Sequence, residues 1–506
     1  MISIAAEHWF QAPSLRRVFE LLNAEGGEVR VVGGAVRNSL LGLPVGDVDL
    51  ATTWQPEDVA ARAESAGIKA VPTGIEHGTV TLVIDGIPHE VTTLRRDVAT
   101  DGRRAEVAFG TDWKADAERR DFTINALYAD AGGEIFDYVG GLSDIESRTL
   151  RFIGSAAERV AEDYLRILRF FRFFAHYGQG RPDAEGLRAC AQARARIATL
   201  SAERVWGEMK KLLAAEDPGR ALLWMRQAGV LGEVLPETEK WGIDAVPGLI
   251  AAEKVFAWTP EPLLRLAAIV PPDAGRLEAM AARLRLSKTE AAFLARFAEA
   301  PAIAATLADA ALDRTLYRNG AEGIIARLKL SLAAARRKSE TDPAFLAETA
   351  AYQRLLARAE KWQRPVFPVN GADVLKAGVP AGPKIGELLA ELENFWIERN
   401  FNVDRATLVA LAGSPAAFRL RRKGGASGGL GFVDDASLNI VDHVFADHRL
   451  AMGVPHVFDD TADDFRVVVG AGMPGATRNE RTAFEQAHGV PPFSGSACFR
   501  IGRNAA

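Results

Sequence analysis

The sequence predicts an α+β protein: an N-terminal stretch in which strands and helices interleave, then an all-α remainder. Two observations carry this. Up to about residue 140, short apolar or alternating runs are separated by segments of helical spacing. After residue 155 the apolar positions recur with a period near 3.6. In order, residues 14–24 have helical spacing, and Glu28 to Val32 reads as a strand running into Gly33-Gly34. Ala35 to Leu41 is helical, Val48 to Thr52 a second strand, and Pro56 to Ala66 a helix with proline in its first turn. Thr79 to Ile84 and His89 to Leu94 alternate like strands across the turn Asp85-Gly86. Strong helices are expected over Val160–His176, Ala202–Ala214 and Arg276–Glu299, with Ser287 and Glu290 forming a capping box. Residues 423–431 look like a flexible linker, beyond which helical periodicity stops.

Composition narrows the function classes. The chain has 506 residues, 48% of them hydrophobic, and a formal net charge of -5. A basic coat is excluded, but a local arginine stripe can still serve a nucleic acid. Cys190 and Cys498 stand far apart and outside any Cys-x-x-Cys pattern, so neither a disulfide framework nor a zinc knuckle is expected. No basic start precedes an apolar stretch, and no apolar run approaches the roughly 20 residues of a membrane helix. A reducing cytoplasm is the expected compartment, with no membrane partner.

The most informative stretch is Val31-Val-Gly-Gly-Ala-Val-Arg-Asn-Ser-Leu-Leu-Gly-Leu-Pro-Val-Gly-Asp-Val-Asp-Leu50. Asp47 and Asp49 sit two apart on a predicted strand and so share a face. Two carboxylates on one face repel unless a cation lies between them, and such hard ligands suit Mg²⁺ held together with phosphates. Gly33-Gly34 lets the backbone approach closely at a helix start, where phosphate binds well, and Arg37 lies one turn into that helix. The bland alternative is a strand-turn-helix carrying two surface aspartates.

This run resembles the signature of the DNA polymerase β-type nucleotidyltransferases. More narrowly it resembles class II tRNA nucleotidyltransferases and bacterial poly(A) polymerases, which share Gly-Gly-x-Val-Arg-Asp-x-Leu-Leu-Gly followed by Asp-x-Asp. Asn38 stands where the family usually has aspartate, a position read as structural. Two further blocks extend the resemblance. Arg119-Arg-Asp-Phe-Thr-Ile-Asn-Ala-Leu127 is similar to the family's ribose and triphosphate block. It implies that Arg119 and Arg120 meet phosphate and that Asp121 and Asn125 meet the sugar. Unaided, the same residues also fit a capped helix start. Glu162-Asp-Tyr-Leu-Arg-Ile-Leu-Arg-Phe-Phe-Arg-Phe173 resembles the Glu-Asp-x-x-Arg motif that selects the incoming nucleotide. Glu162, Asp163 and Arg166 would read the base, and Arg169 and Arg172 would hold phosphates. From spacing alone, this run equally fits a solvated charged face.

The resemblance implies a polymerase-β-like head with a mixed sheet, then helical neck, body and tail. The expected domains are a catalytic head (1–145), a neck with the nucleotide-selecting helix (146–215), a body (216–300), a tRNA-binding tail (301–422) and a linker with an extension of unassigned role (423–506). It further implies two Mg²⁺ ions as cofactor, tRNA, CTP and ATP as partners, and CCA addition to the tRNA 3′ end. Alternatives are poly(A) polymerase, a partial CC- or A-adding enzyme, and an inactive RNA-binding protein. Asp137 to Asp144 looks like the family's hinge, and the segment between Arg95 and Asp116 like its flexible loop. Asn370 and Lys384 fall in blocks similar to the family's tail, where a loop cap is as good a reading as a phosphate contact. Glu90 is a candidate third carboxylate, and His77 is read as a turn residue. Gly470-Ala-Gly-Met-Pro-Gly475 lacks the strand-helix-strand unit that a dinucleotide site needs.

Overall fold

The structure, a computed structural model, describes residues 2–74, 78–101, 104–239 and 242–414. His77, the glycine-rich linker, the Gly470 motif and Cys498 lie outside the described residues.

The head is built on a mixed sheet of seven strands: β1 (Val29–Val32), β2 (Asp49–Thr52), β3 (Lys69–Gly74), β4 (Thr79–Ile84), β5 (Ile87–Thr93), β8 (Leu127–Ala129) and β9 (Ile135–Asp137). Their order is β3-β4-β5-β2-β1-β8-β9. β2 and β5 pair in parallel, and the other neighbours pair antiparallel. Between β5 and β8, the predicted loop contains a two-stranded hairpin, β6 (Arg95–Asp101) with β7 (Arg104–Phe109). Asp85 and Gly86 both have positive φ, 52° and 79°, as a tight β4–β5 hairpin turn demands.

One face of the sheet is covered by α1 (Pro13–Leu22) and α3 (Pro56–Ser65), each opened by proline in its first turn. α1 buries Leu15, Val18, Phe19 and Leu22 at helical spacing. The opposite face carries α4 (Trp113–Glu118), seated through Trp113 and Ala117 on Val32, Ala51 and Tyr128. α2 (Gly34–Leu40) follows the glycine turn, and α5 (Gly141–Glu146) follows β9.

The helices α6 (Ala156–Glu162), α7 (Leu165–Tyr177), α8 (Ala184–Ala193) and α9 (Ala202–Leu213) come next. One apolar core runs from Ile4 to Ala333. Two further clusters lie within residues 300–362 and 317–412.

Three expected elements differ in detail. β2 begins at Asp49, so Asp47 precedes the strand instead of sitting on it. The helix expected over 160–176 is broken: Asp163 has φ -148° and ψ 107° between α6 and α7. Its carboxylate accepts from the Leu165 backbone N–H at 3.0 Å, so a side-chain cap replaces a helical hydrogen bond. The stretch 276–299 is likewise two helices, Ala274–Arg283 and Lys288–Glu299. The second starts at the expected capping box, with Ser287 and Glu290 bonded reciprocally. Among the described residues no helix is long and apolar enough to cross a membrane.

Candidate active site

Asp49 leads β2, directly opposite Glu90 of the parallel strand β5 and Val32 of β1. Cross-strand partners point to one face, so the two carboxylates look the same way. Burial raises the Asp49 pKa; the charges of Glu90 and Asp47 add to the rise, and Arg120 opposes it. Asp49 therefore feels Glu90 and Asp47 as like charges, which favours a cation beside it. Among the described residues no group of three His, Cys, Asp or Glu is close enough to enclose an ion. A carboxylate pair with open coordination positions fits Mg²⁺, which keeps water and phosphate oxygens as ligands. Nucleotidyl transfer generally relies on divalent cations of this kind.

Beside the carboxylates lies the glycine turn. Gly33 has φ 74° and ψ -116°, a conformation that strongly favours glycine. A Cβ there would come 3.5 Å from the Asn125 carbonyl oxygen and 3.9 Å from the Arg120 guanidinium. Arg120 and Arg119 are both held by Asp116 of α4, at 3.0 and 2.6 Å, and Tyr128 donates its hydroxyl to the same carboxylate at 2.8 Å. Burial alone would raise the Asp116 pKa, but Arg120 and Arg119 pull it below the usual range. Asp116 thus stays charged and fixes the arginines over the turn.

The residues expected to meet sugar and phosphate form one buried network. Asn125 donates to Asp121 at 3.2 Å and accepts from Arg37. Asp121 accepts from Arg169 Nε at 2.8 Å. Arg37 also donates to Tyr177 Oη at 2.8 Å and to Asn38 Oδ1 at 2.8 and 3.1 Å. Asn38 donates its amide to the Pro44 carbonyl at 2.8 Å, a bond an ionised aspartate could not make. Burial lowers the Arg37 pKa, and the nearby positive charges of Arg172 and Arg169 lower it further, against Tyr177 and Asp121. Three guanidiniums therefore converge here.

The charged run from Glu162 to Arg172 is stitched to α9. Glu162 on α6 pairs with Arg166 on α7 across the helix break. Asp163 pairs with Arg204 at 2.7 Å, and Arg172 with Glu208 at 2.5 Å. Arg204 and Glu208 lie one turn apart on α9, so that helix holds both ends of the run. Asp163 and Arg166 thus come from the break and the helix after it, not from two turns of one helix.

Elsewhere the bland readings describe what is seen. Asn370 caps the helix Gly371–Lys376 in a box with Asp373, and Lys384 is exposed at the start of Lys384–Glu398. Asp137 accepts from the backbone N–H groups of Val139, Gly140, Gly141 and Leu142, which ties down the segment read as a hinge. Asp116, Tyr177, Arg204 and Glu208 were not singled out in the sequence. The opposite charges of Arg204 and Glu208 at i,i+4 were the available signal.

Residues 29–151 match the poly A polymerase head domain, and residues 182–241 match the probable RNA and SrmB-binding site of polymerase A. The CCA tRNA nucleotidyltransferase 1, mitochondrial, of Mus musculus is 35% identical over 411 residues, covering 78% of this chain and 89% of that protein. The CCA-adding enzyme of Streptococcus gordonii is 32% identical over 382 residues, 74% of this chain and 90% of its own length. The crystal structure of the Bacillus stearothermophilus CCA-adding enzyme in complex with CTP superposes with TM-score 0.62 at 27% identity, covering 81% of this chain and 98% of that one. The chain therefore belongs to the CCA tRNA nucleotidyltransferase family and is a nucleotidyltransferase with a polymerase-β-like head.

Proposed function

We propose that this protein completes tRNA by adding C, C and A to its 3′ end, taking CTP and ATP and releasing pyrophosphate. The observation that carries this reading is a face with two unlike halves. Asp49 and Glu90 stand in register with Asp47 close by, while Arg37 bonds Asn125 and Arg169 bonds Asp121, with Arg172 near Arg37. The first half suits divalent cations and the second a triphosphate.

In this reading Asp47 and Asp49 hold Mg²⁺, two ions in all, which supply charge neutralisation at the α-phosphate and an activated hydroxyl. Glu90 adds negative charge beside them. The tRNA 3′ oxygen bonds to the α-phosphorus, the bond to the β-phosphate oxygen breaks, and the hydroxyl proton leaves to solvent. Gly33, Gly34, Arg37, Arg119 and Arg120 bind the triphosphate, and Asp121 and Asn125 orient the ribose. Arg169 and Arg172 grip phosphate. Glu162 fixes Arg166, and Asp163 with Arg166 offers an acceptor beside donors to the base edge. We assign residues 1–145, 146–215, 216–300 and 301–422 to head, neck, body and tail, the last gripping tRNA.

The test is tRNA lacking its terminal CCA, incubated with labelled CTP and ATP and read by product length. Three added residues are expected. A long A tail would make the protein a poly(A) polymerase, and addition of only CC or only A a partial enzyme. No addition by folded protein would leave only an RNA-binding role.

A further inference from the structure

The three arginines that converge on the site are not held alike. Arg169 is paired with the Asp121 carboxylate and Arg172 with Glu208. Among the described residues Arg37 has no carboxylate within ion-pair distance, although it is 6% exposed. Its fork is satisfied by neutral acceptors: the amide oxygens of Asn38 and Asn125 and the hydroxyl of Tyr177. The Tyr177 ring also lies under it, 4.0 Å from guanidinium carbon to ring centroid. The neighbouring Phe173 ring faces Arg37, Arg169 and Arg172, at 5.4, 5.3 and 4.3 Å.

A carboxylate partner orients a guanidinium but cancels its charge. A phenol orients it through the hydroxyl and the π face and leaves the charge uncancelled. A buried cation held by neutral groups is costly; the nearby Arg172 and Arg169 add to that cost, while Tyr177 and the more distant Asp121 charge offset part of it. Such an arrangement gains most when an anion arrives.

We propose that Tyr177 is a positioning residue for nucleotide binding: it holds Arg37 charged and oriented, so that the triphosphate becomes its counter-ion. This rests on the reading of the site as one that takes nucleoside triphosphates. Tyr177 ends α7 whereas Arg37 belongs to α2, so the bond also joins the neck to the phosphate turn. It acts through Arg37 and not on the base, so CTP and ATP depend on it alike.

The experiment compares wild type with Tyr177→Phe, which keeps the ring and removes the acceptor, and with Tyr177→Leu, which removes both. Tyr177 also lines a cavity of about 490 Å³ with Asn38 and His176, so loss of its hydroxyl leaves no sealed void. Wild-type addition of CTP and ATP first establishes the reading of the site on its own. Tyr177→Phe should raise the KM of CTP and ATP alike by roughly 3- to 10-fold with kcat within about 2-fold, and Tyr177→Leu should raise it further. The KM for tRNA should stay unchanged. Inhibition by CTP analogues should weaken by the same factor, while inhibition by cytidine, which has no phosphate, should not. An unchanged KM in folded Tyr177→Phe overturns the proposal. So does equal weakening of cytidine and CTP, which would mark a general packing defect. If Tyr177→Leu fails to fold, Tyr177→Phe alone decides.

Discussion

The sheet face at β2 and β5 and the charged run from Glu162 to Arg172 are both rich in ionised groups, and they are built on opposite plans. At the sheet, Asp49 faces the like charges of Glu90 and of Asp47 just before the strand, and burial with these charges lifts its pKa above the ordinary value against Arg120. In the run these charges are paired: Glu162 with Arg166, Asp163 with Arg204, Arg169 with Asp121, Arg172 with Glu208. Uncompensated charge stores a demand for a ligand, whereas compensated charge stores a geometry. In the proposed function the first arrangement serves chemistry common to all nucleotides and the second discrimination between them.

The largest effect that could break this contrast is at the sheet. Asp49→Asn keeps the shape and removes a charge, so single-turnover addition should fall by several kcal/mol of barrier, on the order of 10³-fold, for every nucleotide alike. Retained tRNA binding in a filter assay would show that the RNA grip lies elsewhere. Substantial turnover in this variant would detach the carboxylates from the reaction.

Next in size is the foundation of the paired region. Arg265 and Glu253 form a pair with side chains 1% and 3% exposed, bonded at 2.7 Å. Arg265 also donates to the Leu213 carbonyl at 2.6 Å, and so anchors the end of the helix that carries Arg204 and Glu208. Arg265→Met strands the Glu253 charge and should cost about 3–5 kcal/mol in denaturant unfolding. The double variant with Glu253→Leu should recover most of that loss.

The smallest expected effect concerns the C-terminal segment. Its sequence breaks from the helical pattern after the linker at 423–431. Truncation after Lys423 should leave addition within about 2-fold, since it removes none of the interactions above. A large loss in a folded truncation would bring the segment into the account.

How much of this was legible in the sequence follows from how local each feature is. The glycine turn and the Asp-x-Asp pair sit within one short stretch, and spacing revealed both. That Glu90 stands beside Asp49 depends on a parallel pairing between strands some 40 residues apart, which no local pattern encodes. The break at Asp163 was hidden because helical periodicity runs straight through it, while a side-chain cap ends one helix and starts the next. The partners Arg204 and Glu208 lie on α9, and only the packing of α9 along α7 brings them to Asp163 and Arg172. Tyr177 carried no signal, because its meaning comes only from Arg37, 140 positions away.

The contrast between the two regions is tested most directly at Asp163, by single-turnover incorporation of each of the four nucleotides on tRNA ending before CCA. A base with the wrong donor and acceptor order leaves buried polar groups unpaired, at roughly 1–3 kcal/mol per group. Asp163→Ala should remove that penalty, raising GTP and UTP relative to CTP by about 5- to 150-fold, with a smaller loss for any one nucleotide. If Asp163→Ala instead slows all four equally and keeps the preference for CTP and ATP, the neck run is a structural charged face and does not read the base.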